Sequence, residues 1–376
     1  MSSSSRSRPL QGIRAVEFGG LGPGPFGAMM LADLGADVVR IERPRPSLPA
    51  DAPAQPAVSP LFRGRRQVHI DLKDEAGLGS ALELIRNADV VIDPYRPGAM
   101  EALGLGPKRC LSENGRLVYA QITGWGQEGP LAPLGGHDIN YLAFSGALSL
   151  IGEPERPSIP LNLIADYGGG GMLLVTGILS ALFERERSGR GQVVDTAMVD
   201  GVALLMSGYF GARTHGLWPE RRTEHILNGA APFYNVYATS DGRHVAVGAM
   251  EPMFYRRLRE TLGLSEDPTF ADQFNRENWP AMKQTLAETF GAQTLEHWTE
   301  RFDGVDACVT PVLTPSETLA HPHATTRRMF AQLGDVTHPV PGPHLSDSSD
   351  EAWAPSDAGA VSVDEVLADW SAEATA

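Results

Sequence analysis

Residues 16–27 read VEFGGLGPGPFG, and the last six letters, GPGPFG, fit the pattern G-x-G-x-x-G. A strand-like run, IRAVEF (13–18), precedes them, and a helix-like run, GAMMLADLGA (27–36), follows. A second strand-like run, DVVRIE (37–42), ends on Glu42, 20 residues after Gly22. Strand, tight glycine turn, helix and strand predict the opening of an α/β domain, and the acidic residue completes a dinucleotide fingerprint. The prolines argue against that ligand. A phosphate-cradling turn works by aiming backbone N–H groups at the pyrophosphate, and Pro23 and Pro25 have none to give. Pro25 suits the first turn of a helix, where a donor has no intrahelical partner anyway. Arg40 and Arg43 flank Glu42 and favour an anionic ligand over a bare ribose. The stretch decides the fold and leaves the ligand open.

Outward from the turn, the pattern repeats. Residues 44–60, PRPSLPADAPAQPAVSP, read as a Pro/Ala-rich loop, ordered only if something docks on it. RQVHIDL reads as a strand, EAGLGSALELIRNA as a helix, and DVVIDPY and RLVYAQITGWG as buried strands. Such alternation up to about residue 125 predicts a parallel, doubly wound sheet of Rossmann-like kind. Two helical stretches, HDINYLAFSGALSLIG and DYGGGGMLLVTGILSALFERER, follow, and then a strand and helix in GQVVDTAMVDGVALLMSGYFGA. The character changes near residue 225. APFYNVYATSDGRHVAVGA alternates as a hairpin turning at Ser240-Asp241-Gly242, and amphipathic helical segments fill 251–303. The expected organisation is a large domain at 9–200 completed by 325–376, a linker helix region at 201–225, a small α+β domain at 226–312 and a return linker at 313–324.

A chain of 376 residues can bury a large core and is long enough for two domains. Its 42% hydrophobic and 20% charged residues are those of a soluble globular protein. A formal net charge of −15 argues against general binding to nucleic acid or to an anionic membrane surface, so a polyanionic ligand needs a local basic zone. Cys110 and Cys308 alone make no disulfide framework or cysteine metal site, and they fit a reducing compartment. The start, MSSSSRSRPLQG, has no apolar stretch and reads as a disordered tail. No uninterrupted apolar run is long enough to span a bilayer, and SAEATA carries no targeting signal. The expected location is the cytoplasm.

Chemistry concentrates in three stretches. In GGHDINY (135–141), His137 stands at a helix start after two glycines, where the helix field disfavours imidazolium and keeps a base usable near neutrality. Capping the helix is its plain alternative. In PLNLIADYGGGGM (160–172), Asp166 opens another helix beside four glycines. That run costs roughly 0.5–1 kcal/mol per glycine relative to Ala, which points to close approach by a ligand or another backbone. An N-capping role for Asp166 is common enough to stand beside a catalytic one. Glu251, in VAVGAMEPMFY, follows the hairpin as a first-turn acid. The backbone N–H of Asp138 is a candidate oxyanion donor. Basic residues gather early, at Arg40, Arg43, Arg63, Arg65, Arg66, Lys73 and Arg96, near the sheet edge where α/β folds bind ligands. His321 and His323 are too isolated to read as metal ligands, and no metal is expected.

Together FGGLGPGPFGAMMLADLGADVVRIERP, DPYRPGAMEALGLGP, GHDINY, PLNLIADYGGGGM, GQVVDTAMVDG and APFYNVYATSDGRHVAVGAMEP resemble the family III CoA-transferase and α-methylacyl-CoA racemase family, in its racemase branch. The similarity runs from about residue 9 to residue 370. It implies that the fingerprint-like turn belongs to a Rossmann-like domain that binds CoA. His137 and Asp166 are then the acid/base pair on opposite faces of the substrate α-carbon, Glu251 the acid that orients the histidine, and Asn162 a neighbour of the aspartate. Arg43, Ile70, Asp71, Leu72, Lys73, Pro94, Tyr95, Arg96, Gly136, His137, Asp138, Ile139, Asn140 and Tyr141 match CoA-binding positions. The resemblance further implies an interlocked homodimer in which Glu251 comes from the small domain of the other subunit. Racemases of this branch often carry an arginine shortly after YRPG, where this chain has Ala102; Arg63, Arg65 and Arg66 are the expected substitutes.

The implied activity is interconversion of (2R)- and (2S)-2-methylacyl-CoA thioesters by 1,1-proton transfer through an enolate. CoA is part of the substrate, and no separate cofactor is required. The same fold implies a rival, CoA transfer between carboxylic acids with Asp166 as nucleophile through an anhydride. His137 separates them, because transferases of this fold generally lack it. A CoA-binding scaffold with idle His137 and Asp166, and a nicotinamide redox enzyme, are the remaining alternatives.

Overall fold

The structure, a computed structural model, describes residues 8–44, 59–346 and 360–373. All but the ends of the Pro/Ala-rich stretch at 44–60, and most of the N-terminal tail, lie outside the described residues. The chain divides into two compact units: Met1–Ser145, Pro160–Met206 and Arg328–Ala376 form one, and Gly146–Ile159 with Ser207–Arg327 the other.

The first unit opens with β1 (Arg14–Phe18), α1 (Pro23–Asp33), β2 (Asp37–Glu42), β3 (Arg65–His69), α2 (Glu75–Arg86) and β4 (Val90–Asp93). It continues through α3 (Ala99–Ala102), α4 (Pro107–Glu113), β5 (Val118–Thr123) and α5 (Asp138–Phe144). A short hairpin, β6 (Gly152–Glu153) and β7 (Arg156–Pro157), belongs to the second unit. The chain then returns through a π-helical segment, Leu163–Gly171, into α6 (Met172–Ser188), β8 (Gln192–Ala197) and α7 (Met198–Leu205). Six strands pair in the order β3-β2-β1-β4-β5-β8, all parallel. β4 and β5 are buried along their whole length, as parallel strands covered on both faces must be. β1 lies between β2 and β4, with Val16 opposite Val39 on one side and Val91 on the other. The strand order therefore reverses beside β1, directly behind the GPGPFG turn.

That turn forms as its residues dictate. Gly22 takes φ +64°, open to glycine at no steric cost, and Pro23 starts α1. α1 ends as Gly35, at φ +105°, reverses the chain into β2. One face of the sheet packs Phe18, Ile41, Leu84, Ile85 and Tyr119 with Val366 and Trp370. The last two lie on a C-terminal helix (Val363–Glu373), and the Trp370 indole donates to Asp37 Oδ2 at 2.7 Å. On the sheet's other helices, α6 meets α1, β5 and β8. Leu163–Ser188 runs as one helix of 26 residues, long and apolar enough by length and composition to cross a bilayer. Scanning for uninterrupted apolar runs misses it, because glycines rather than charges dilute its side chains. Of its apolar window 39% is buried, and α6 contributes Leu174, Val175, Ile178, Ala181 and Leu182 to that buried side.

The four glycines seat this helix among its neighbours. A Cβ on Gly171 would lie 2.5 Å from the Phe26 ring, one on Gly170 3.0 Å from Pro23, and one on Gly169 2.9 Å from the Val202 backbone nitrogen. Close packing explains these three: side chains of Phe26 and Met198 come nearest at Gly171 and Gly170, and α7 backbone at Gly169. Other segments depart from simple periodicity. The stretch at 137–152 breaks at Gly146, φ +85°, and the one near 199–212 splits into α7 and α8 (Ser207–Thr214).

The second unit carries β9 (Tyr234–Ala238) and β10 (His244–Gly248), a hairpin turning through Gly242 at φ +74°. α9 (Pro252–Leu262), α10 (Trp279–Gly291), α11 (Leu295–Arg301) and β11 (Val309–Pro311) follow. β11 completes a three-stranded antiparallel sheet over an aromatic core that includes Phe233, Tyr237, Trp279, Phe290 and Trp298. Residues 146–159, expected in the large domain, belong here: Arg222 donates to the carbonyls of Ser149, Glu153 and Pro154 at 2.7–3.1 Å. The span expected as a return linker holds two short helices, Pro315–Ala320 and Pro322–Thr326.

Candidate active site

The C-terminal ends of β1, β2, β3, β4 and β5 open on one edge of the sheet, and the loops leaving them carry the candidate residues. Beyond β1, the position a Gly22 Cβ would take lies 3.0 Å from Asp166 Oδ2. The fingerprint-like turn thus touches a carboxylate. Asp166 sits in the first turn of the π-helical segment, half-buried, and Asn162 Nδ2 donates to its Oδ2 at 3.2 Å. Just before it, Leu161 is held at φ +59°, a strained conformation for a non-glycine residue.

Beyond β5, Gly124 and Gly136 leave room for the Tyr141 ring, which Trp125 meets edge-on at 4.9 Å. His137 takes the N-cap position of α5, exposed, and its backbone N–H donates to Asn140 Oδ1 at 3.0 Å. Asp138 follows, 5% exposed, and its Oδ2 accepts from Ala165 N at 2.7 Å and Asp166 N at 2.8 Å. The start of α5 and the Asp166 turn are thereby joined, which brings His137 and Asp166 together. Burial pushes the Asp166 carboxyl above its ordinary range. The bond from Asn162 and the charge of His137 oppose that shift, and the charge of Asp138 reinforces it. A carboxyl raised in this way is better matched to give and take protons near neutrality.

Apart from Gly136–Tyr141 at the start of α5, the residues matched to CoA-binding positions fall at three strand ends on one edge of the sheet. Arg43 follows β2, Ile70–Lys73 follow β3, and Pro94–Arg96 follow β4. Arg43, Lys73 and Arg96 are exposed and make no ion pair among the described residues. Ile70 and Tyr141 are only 4% and 5% exposed, so little of either residue is open to a ligand. Leu72 packs against the core around Ile70, and Asp71 Oδ1 accepts from Lys73 N at 3.0 Å.

The expected substitutes for the missing arginine are engaged elsewhere. Arg63 binds Asp33 at 2.6 Å, Arg65 binds buried Glu17 at 2.8 Å, and Arg66 pairs with Asp37 and, at 2.8 Å, Asp369. Arg40 also reaches Glu17, and Glu42 at 2.5 Å. The early basic cluster divides into four ion-paired arginines, of which Arg40, Arg63 and Arg65 are buried and Arg66 is half-buried, and three exposed cations, and position 102 has no stand-in among Arg63, Arg65 and Arg66. In the second unit, Glu251 is exposed at the N-cap of α9.

Sequence reasoning missed the carboxylate of Asp138, weighing only its N–H. The available signal was an acid beside His137, 28 residues before Asp166, at a helix start. Nothing in the sequence marked Leu161.

A parallel doubly wound sheet, with a carboxylate at its switch-point turn and a histidine-led helix tied to it, matches one known family in detail. The CoA-transferase family III sequence model covers residues 10–358. The chain belongs to CoA-transferase family III. It is 47% identical over 339 residues to the alpha-methylacyl-CoA racemase of Mus musculus, covering 90% of this chain and 86% of that protein. Against the alpha-methylacyl-CoA racemase of Homo sapiens the identity is also 47%, over 89% and 86%. A CAIB/BAIF family protein from Brucella suis superposes with a TM-score of 0.81 at 25% identity, over 97% of this chain and 100% of that one.

Proposed function

We propose that the chain interconverts (2R)- and (2S)-2-methylacyl-CoA thioesters by 1,1-proton transfer, with His137 and Asp166 as the two bases. The observation that carries this is the bridge from Asp138 to the Asp166 turn, which ties the His137 end of α5 to a carboxyl whose pKa burial raises. The 47% identity to named racemases supports it. One base takes the α-proton as the C–H electron pair moves toward the thioester oxygen. The other delivers its own proton to the opposite face, so each turnover inverts the centre and passes one proton from one side to the other. A single base would return the proton to the side it came from. The backbone N–H of Asp138, at a helix start without an intrahelical acceptor, serves the enolate oxygen. Asn162 steadies the Asp166 carboxyl. Arg43, Lys73 and Arg96 hold the anionic part of CoA, which arrives as part of the substrate.

In the same proposal the chain works as a homodimer, with the partner's Glu251 orienting the His137 imidazole as orienting acids do in other triads. In the single chain, Met172, Phe183, Leu204 and Leu205 are 49–68% exposed, apolar surface of the kind a second copy covers.

A single-epimer 2-methylacyl-CoA, incubated without any carboxylic acid acceptor, is expected to become a mixture of epimers by chiral chromatography. His137→Ala is expected to lose this sharply while keeping its fold. Turnover only when an acceptor acid is supplied, with the configuration retained, overturns the assignment in favour of CoA transfer.

A further inference from the structure

We infer that the Asp138 side chain is a positioning residue: its carboxylate fixes the spacing and the charge balance between His137 and Asp166, a role that rests on the proposed proton-transfer chemistry. Asp138 is the first residue of α5, and His137 is the one before it. Its Oδ2 takes the N–H groups of Ala165 and Asp166 at 2.7 and 2.8 Å. These are donors that the first turn of a helical segment leaves without an intrahelical acceptor. One carboxylate oxygen thus caps the segment bearing one candidate base while its backbone starts the helix bearing the other. Oδ1 is buried with no hydrogen-bond partner among the described residues. A buried carboxylate is costly unless bonded or paired, so this one is an expensive way to build a cap that Ser, Thr or Asn supplies equally well. What an uncharged cap lacks is the negative charge beside Asp166.

The ionisable groups acting on the Asp166 carboxyl are His137 and Asp138, and Tyr141 of the same helix lies within its field. α1 meets the π-helical segment through Pro23 and Phe26, and α7 through Met198, Gly201 and Val202. Asp200 of α7 is exposed and acts on Asp195 of β8 instead. Asp138 is the group that opposes ionisation of Asp166 by charge, while His137 favours it.

Three variants separate spacing from charge. Asp138→Asn keeps an oxygen for the two N–H groups and removes the charge. Asp138→Glu keeps the charge and lengthens the arm, and Asp138→Ala removes both. Asp138→Asn is expected to lower kcat about 10- to 100-fold by mistuning Asp166 as an acid/base, the low end of what general acid–base catalysis contributes, with KM changed less than about threefold. The Asp166 carboxyl, followed by 13C NMR with labelled aspartate, is expected to titrate at lower pH than in the unsubstituted protein. Asp138→Glu is expected to lose kcat with the Asp166 titration held, and Asp138→Ala to show both losses. If Asp138→Asn fails to fold, Asp138→Glu still decides: unchanged kcat overturns the role. Equal kcat and equal Asp166 titration in Asp138→Asn also overturn it, as does a change confined to KM. The NMR measurement needs no turnover. An unsubstituted protein without racemase activity therefore sinks the proposed function alone, and an Asp166 titration unmoved in Asp138→Asn sinks the inference alone.

Discussion

Asp93 closes β4 at 2% exposure, one residue before the Pro94-Tyr95-Arg96 loop assigned to CoA. Its Oδ1 accepts from Tyr95 N at 2.9 Å and its Oδ2 from the Tyr119 hydroxyl at 3.2 Å. Burial pushes its carboxyl up to about 6. Bonds from Tyr95, Tyr119 and Gln121 work against that rise, and the charge of Glu101 adds to it. The sign of the stability effect follows. Between about pH 4 and about pH 6 the folded chain holds a proton here that the unfolded chain has released. This group's contribution therefore weakens as pH rises through that window, by at most about 3 kcal/mol. Asp93→Asn is expected to gain stability relative to the unsubstituted chain as pH goes from 4.5 to 7, read from urea midpoints at both values. An equal difference at the two pH values would contradict this. At this scale the sequence was most legible where chemistry needs a particular residue type at a turn. His137, Asp166 and the strand-end cations stood out as candidates, and the resemblance added Asn162. It was least legible where burial decides. Arg63, Arg65 and Arg66 look like phosphate ligands in a string of letters, and only folding places each against a carboxylate.

The π-helical segment and α7 pack backbone against backbone. A Cβ on Gly201 would overlap the carbonyl of Gly169, so the two backbones touch where neither can carry a side chain. Gly201→Ala is expected to force α7 off the segment that holds Asp166. It is expected to destabilise the fold by roughly 1–3 kcal/mol, the usual scale of overpacking, and to lower activity beyond what stability explains. The thermal unfolding midpoint, and kcat measured below the transition, check the two parts; a variant with unchanged kcat and midpoint would remove the packing role. The glycine run at 168–171 was visible in the sequence, but its cause was not. A run of glycines says that something comes close, and a one-dimensional pattern does not say whether ligand or backbone does. The same limit applies to helix lengths. Apolar spacing carries through Gly146, and only its positive φ ends the helical stretch there.

At the scale of the molecule, alternation of strand and helix up to residue 125 was enough to predict the parallel sheet, because each βαβ unit is local. Assignment of 146–159 was not local: Arg222, some 70 residues away, holds it in the second unit. The C-terminal helix was readable, and the resemblance carried its place in the first unit. Trp370 accounts for that place physically, being 1% exposed and bonded to Asp37. The first unit thus assembles three separated stretches of chain so that five strand ends meet at one edge, with the two proposed bases tied together there. Initial-rate turnover of a single-epimer 2-methylacyl-CoA in deuterated water tests that arrangement most directly. Two bases on opposite faces predict deuterium at the α-carbon of the newly formed epimer while the remaining starting epimer still carries hydrogen. Equal deuteration of both epimers from the first turnovers, or inversion with no deuterium incorporated, would contradict it.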